Sequence, residues 1–253
     1  MKKIVKTLLI SFIMLSCHQK QETKLNIAVA SNMQFAIKEL VKIFTEQTGI
    51  PCELIISSSG KLTAQIKQGA PFDIFISANM KYPTELFNTG YTLQKPKIYA
   101  YGHLVLWSTL DSITPSIELL RNPEIKHIAL ANPKMAPYGN ASMEVLKHYV
   151  LDTKLQDKLV YGESIAQTNQ FIISKSVEVG FTAKSVVLAS KMKNKGSWID
   201  LDSVYTPISQ GVVILNQNRN LQSKAEKFYH FLFSKTAQKS LQKYGYTTNK
   251  RNS

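Results

Sequence analysis

The sequence predicts an α/β protein of two lobes, each a mostly parallel sheet flanked by helices, and three observations carry that expectation. Extended apolar segments alternate with helical ones along nearly the whole chain, the pattern of helices layered on parallel strands. The segment "FDIFISA" is almost uninterrupted in its apolar character, as a strand covered on both faces must be. Two longer extended runs, "KPKIYAYGHLVLWS" and "VYTPISQGVVILN", bracket a central α/β unit. The chain is therefore expected to cross twice between lobes, leaving a cleft that closes by hinge motion. With 253 residues, 44% hydrophobic and 19% charged, there is enough apolar material for one large core or two small ones.

The start of the chain stands apart from this pattern. "MKKIVKTLLISFIMLSC" has lysines at 2, 3 and 6, an apolar stretch from about Leu8 to Leu15, and small Ser16 before Cys17. That is the layout of a secretory signal over residues 1–16, too short to cross a bilayer as a helix. A cysteine directly after the cleavage position resembles the bacterial lipobox, so Cys17 is expected to be acylated and to anchor the chain to a membrane. Plain secretion is the alternative. Residues 17–23 then form a short polar tether. The other thiol, Cys52, falls in a predicted strand and reads as a buried small hydrophobe.

The first strand is "LNIAVA", followed by a helix with Ile37, Leu40, Val41 and Phe44 at helical spacing and Gly49 as its stop. "PCELIIS" is the second strand, "SSSG" a turn, "KLTAQIKQG" a helix and "FDIFISA" the third strand. In the central unit "HIALA", "KLVYG" and "VEVGFTA" read as strands, "NPKMAPYG" as a loop, and "ASMEVLKHYVL" and "IAQTNQFIISK" as helices. Two helices rich in Phe, Leu and Lys close the chain. The expected boundaries are 24–100 plus 207–253 for the first lobe and 101–206 for the second.

Composition and motifs remove several classes of function. The net charge of +14 includes the three signal lysines; the remaining lysines are scattered over helix faces, only three arginines occur, and no aromatic-basic module is present. No nucleic-acid partner is expected; a diffuse positive field suits a small anion instead. The five histidines lack metal-ligand spacing. The G-x-S-x-G elbow, the P-loop and the dinucleotide fingerprint are missing. Asp73 and Glu163 are lone carboxylates near strand ends, which read as turn or cap residues, so no catalytic residues are assigned and no enzyme is expected.

What recurs is neutral hydrogen-bond donors at strand-to-helix junctions. Ser31 and Asn32 end the first strand, and Ser57, Ser58, Ser59 and Gly60 end the second. Tyr138 and Gly139 precede one central helix, and Glu163, Ser164 and Ile165 another. Such junctions present unpaired N–H groups and the positive end of a helix dipole, and in open α/β sheets ligands bind there. Each alone also reads as an ordinary helix cap.

In order and spacing, "AVASNMQFAIKELVKIFTEQTG", "SSSGKLTAQIKQGAPFDIFISAN", "ANPKMAPYGNASMEVL" and "VEVGFTAKS" resemble the periplasmic molybdate-binding proteins of molybdate ABC transporters, the ModA family. The likeness runs from about Leu25 to Tyr246. It implies the two-lobed type II periplasmic-binding-protein fold, molybdate or tungstate held in the cleft, no further cofactor, and delivery to an ABC transporter permease. It also implies a monomer working in the periplasm or at the cell surface. Carried over residue by residue, it places the oxyanion ligands at Ser31 and Asn32, at Ser59, and at the backbone N–H groups of Tyr138 and Ile165. Some members add a tyrosine hydroxyl where this chain has Ala183, and Asn32 is the expected substitute donor. The chemistry agrees with such a cage: molybdate near neutrality is an unprotonated dianion, so each ligand atom must donate. Phosphate retains a proton that needs an acceptor, whereas sulfate is distinguished by size alone. Three alternatives stay open: another oxyanion such as sulfate, an exported enzyme on the same fold, and a surface serving only a protein partner.

Overall fold

The computed structural model describes residues 24–201 and 204–248; the signal segment and Cys17 lie outside them. Strand β1 (Leu25–Ala30) runs into a single 3-10 turn at Ser31–Met33, and only then does helix α1 (Ala36–Thr48) begin. The Ser31–Asn32 pair therefore does not cap α1, whose N-cap position is held by Phe35. Gly49 ends α1 at φ 69°, a left-handed conformation that costs glycine least, and its N–H bonds to Thr45 O at 2.8 Å. The chain continues through β2 (Cys52–Ser57), α2 (Ser59–Lys67), β3 (Ile74–Ser77), α3 (Lys81–Asn88) and β4 (Lys97–Gly102). In the middle lie β5 (Leu104–Ser108), β6 (Ile128–Ala131), α4 (Pro137–His148), β7 (Leu159–Gly162), α5 (Ile165–Ile173), β8 (Val179–Ala183), the single-turn α6 (Lys184–Val187) and β9 (Ser197–Asp200). Strand β10 (Ile208–Ile214) and helices α7 (Gln222–Leu232) and α8 (Lys235–Lys243) complete the described fold.

These strands form two five-stranded sheets, ordered β2-β1-β3-β10-β4 and β7-β6-β8-β5-β9. In each, one strand runs against the rest: β10 is antiparallel to β3 and β4, and β5 to β8 and β9. Those two strands follow the crossings between lobes. The first run predicted as continuously extended is thus broken at His103, with β4 in one sheet and β5 in the other.

Each lobe has its own core. In the first, α1 buries Ile37, Leu40 and Phe44, and the Phe44 ring meets Phe228 edge-on at 4.9 Å and Phe231 at 5.5 Å. Burial of such a ring contributes about 1.5–3 kcal/mol, which fastens α7 over the sheet. In the second, Trp107 is fully buried and its indole N–H donates to Lys195 O at 2.7 Å, so the largest core side chain leaves no polar atom unmet. Cys52 is only half-buried, because β2 is an edge strand; burial nonetheless pushes its thiol up to about 12. Among the described residues no helix is long and apolar enough to cross a membrane.

Candidate functional site

Parallel pairing fixes where the chemistry can sit. Register pairs Ala30 with Ser57 in the first sheet and Ala131 with Gly162 in the second, so the segments after β1 and β2, and those after β6 and β7, leave at common ends. The two ends face each other. Ala30 and Ala78 of the first lobe belong to the same buried apolar cluster as Ala136, Tyr138, Ile165 and Ala183 of the second, and α5 packs against the 3-10 turn at Ser31–Met33. Ser31, Ser59, Tyr138 and Ile165 are all buried around this junction.

The donors differ in what they have left to give. Ser31 is 3% exposed, and its hydroxyl has no hydrogen-bond partner among the described residues. The Ser59 hydroxyl oxygen accepts from Ala78 N at 3.0 Å; since a hydroxyl has one hydrogen and two lone pairs, its O–H remains available to a ligand. Helices α2 and α4 start without a side-chain cap, leaving first-turn N–H groups unsatisfied by their own helix. Tyr138 and Gly139 fall inside the first turn of α4, not in a loop before it: Pro137 starts the helix at a position where its missing N–H costs nothing. At α5, the Ser164 hydroxyl caps Gln167 N at 3.4 Å, while Ile165 leads the helix.

Asn32 departs from expectation. Its side-chain amide donates to Gln210 Oε1 at 2.8 Å and to Tyr246 Oη at 2.9 Å, so both amide hydrogens are committed inside the protein. The group left for an incoming anion is its backbone N–H. Ser185 Oγ, just past Ala183, donates to the Asn32 carbonyl at 2.8 Å, and Tyr246 Oη lies 3.2 Å from Ser185 Oγ. Tyr138 Oη sits beside the Asn32 side chain without reaching hydrogen-bond geometry. Burial pushes the Tyr138 and Tyr246 hydroxyls well above the usual phenol range, so both stay neutral at any physiological pH. Asn32 thus ties the end of β1 to β10, to the C-terminal segment and to the second lobe. Replacing it with Ala strands the buried Gln210 oxygen, and equilibrium denaturation is expected to show a loss of about 1–3 kcal/mol.

One further feature lies beyond the residues singled out from the sequence. The Ala78 N–H follows β3 as Ser31 follows β1, and the strand-end rule applied to "FISA" would have found it. Ser58 is buried with an unpartnered hydroxyl one residue from Ser59. Among the described residues no three His, Cys, Asp or Glu side chains gather as a metal site. The junction can surround a small, fully deprotonated oxyanion with neutral donors.

The profile of a family described as bacterial extracellular solute-binding protein matches residues 25–247. The molybdate-binding protein ModA of Rhodobacter capsulatus is 35% identical over 222 residues, 87% of each chain. That of Azotobacter vinelandii is 33% identical over 229 residues, 89% of this chain and 90% of its own. The solved structure of the Azotobacter vinelandii periplasmic molybdate-binding protein superposes with a TM-score of 0.85 at 32% identity, covering 90% of this chain and all of that one.

Proposed function

Since the chain belongs to the bacterial extracellular solute-binding proteins, in the family that includes the molybdate-binding proteins, we propose that it captures molybdate in the cleft between its lobes and delivers it to an ABC permease. The observation that carries this reading is the hydroxyl of Ser31, a residue 3% exposed at the meeting of the two lobes, which makes no hydrogen bond among the described residues. Its hydrogen is free to be given to an oxyanion. Backbone N–H groups of Asn32, Tyr138 and Ile165 and the Ser59 hydroxyl supply the remaining donors. Tungstate, an oxyanion of the same charge and shape, is accepted in the same cage. Ala183 supplies no side-chain donor, and the backbone N–H of Asn32 stands in for it.

The protein is a receptor rather than an enzyme and works as a monomer outside the cytoplasm. Acylation of Cys17 holds it to the membrane through the tether at 17–23. Isothermal titration of the mature chain, without its lipid, against molybdate, tungstate, sulfate and phosphate tests the reading. Tight binding of molybdate and tungstate is expected, with phosphate rejected because its proton finds no acceptor. Binding of sulfate or phosphate alone overturns it.

A further inference from the structure

At the mouth of the cleft the two lobes are joined by a pair of charges that no ligand contact requires. Lys61, in the first turn of α2, bonds to Glu163, in the connection between β7 and α5, with Nζ and Oε2 2.6 Å apart. Lys61 lies two residues after Ser59, and Glu163 two before Ile165, so each charge is rooted beside a donor of its own jaw. Two more bonds cross the same seam: Gly60 N donates to Met135 O at 2.9 Å, and Tyr82 Oη to Lys134 O at 3.3 Å. The pair is at the solvent face, with side chains 45% and 69% exposed. Its partners stand on different sheets, 102 residues apart in sequence, so their contact exists only while the lobes are together.

We propose that Lys61 acts twice in ligand capture, an inference that rests on the oxyanion-receptor reading above. With the cleft open, its ammonium is an unpaired cation at the rim that steers a dianion inward. With the cleft closed, it pairs with Glu163, holding the jaws together and neutralising a carboxylate two residues from Ile165. Glu163 serves only the second role and opposes the first, so the two residues affect the rates differently.

Stopped-flow fluorescence of the mature protein with sodium molybdate, at low and high salt, separates these effects. Glu163→Gln is expected to raise the dissociation rate about two- to fivefold, the range for an exposed ion pair, with association unchanged or faster. Lys61→Gln is expected to raise dissociation similarly and to slow association, the slowing disappearing in about 1 M salt, where the screening length is ~3 Å. Exchanging the charges, Lys61→Glu with Glu163→Lys, restores dissociation to the parent rate. Unchanged rates in both single variants, slower association that persists at high salt, or failure of the exchange to restore dissociation would each overturn the proposal. Absence of molybdate binding by the parent protein would instead overturn the receptor reading itself.

Discussion

The double change Ser31→Ala and Ser59→Ala is expected to weaken molybdate binding by roughly 2–6 kcal/mol, the scale for losing two hydrogen bonds to a charged group. Both hydroxyls are buried and both have a hydrogen to give, Ser31 because it has no partner and Ser59 because its bond to Ala78 N uses only a lone pair. The single variants separate binding from stability. Ser59→Ala strands the Ala78 N–H and should also destabilise the ligand-free protein by about 1–3 kcal/mol, whereas Ser31→Ala should leave its melting temperature unchanged. Titration calorimetry reads the affinities, and thermal denaturation supplies the control. Unchanged affinity in the double variant would remove both residues from the site.

Gly60→Ala is expected to weaken binding by a different route. A Cβ built at Gly60 lies 3.0 Å from Met135 O and 3.1 Å from Met135 Cα, both backbone atoms of the opposite lobe, and 2.8 Å from the mobile end of Tyr82. The tyrosine can swing aside, but the Met135 backbone must retreat, so the cost falls on the closed arrangement. Overpacking of this kind costs about 1–3 kcal/mol, which appears as a roughly fivefold to 150-fold loss of affinity. Since each lobe keeps its own core, the ligand-free protein should melt as before. A matching fall in ligand-free stability would show that Gly60 serves the local fold of α2 instead of closure.

The parts of this molecule that were legible in the sequence are those governed by local rules. "LNIAVA" and "FDIFISA" announce themselves as β1 and β3 because helix-covered strands need continuous apolar character, and Gly49 marks the end of α1 because few other residues accept its φ. The Ser-Ser-Ser-Gly and Pro-Tyr-Gly stretches run straight into α2 and α4, whose first turns take in Ser59, Gly60, Tyr138 and Gly139. The 3-10 turn after β1 left no such mark: Ser31 and Asn32 suit a cap and a turn equally well. Short β9 escaped attention because four residues on a sheet edge, half of them exposed, carry little pattern.

The site was legible only so far as it uses side chains next to strand ends. The partners of Asn32, by contrast, lie 178 and 214 residues away, at Gln210 and Tyr246, and no local pattern joins them. An asparagine after a strand reads as a donor to a ligand because its neighbours in space are unknown; once Gln210 and Tyr246 are present, its amide is already satisfied. Ala78 carries only a positional mark, the end of β3, since a backbone N–H leaves no signature in residue type. Lys61 and Glu163 read as an ordinary surface cation and a lone carboxylate until the two lobes bring them to one another.

Diffraction from a crystal of the mature protein grown with molybdate, recorded at the molybdenum absorption edge, tests the central claim most directly. A single anomalous peak is predicted between the lobes, with oxyanion oxygens within hydrogen-bond distance of the Ser31 and Ser59 hydroxyls and of the Tyr138 and Ile165 backbone N–H groups. A peak away from these four residues, or an ordered crystal with no peak in the cleft, would contradict it.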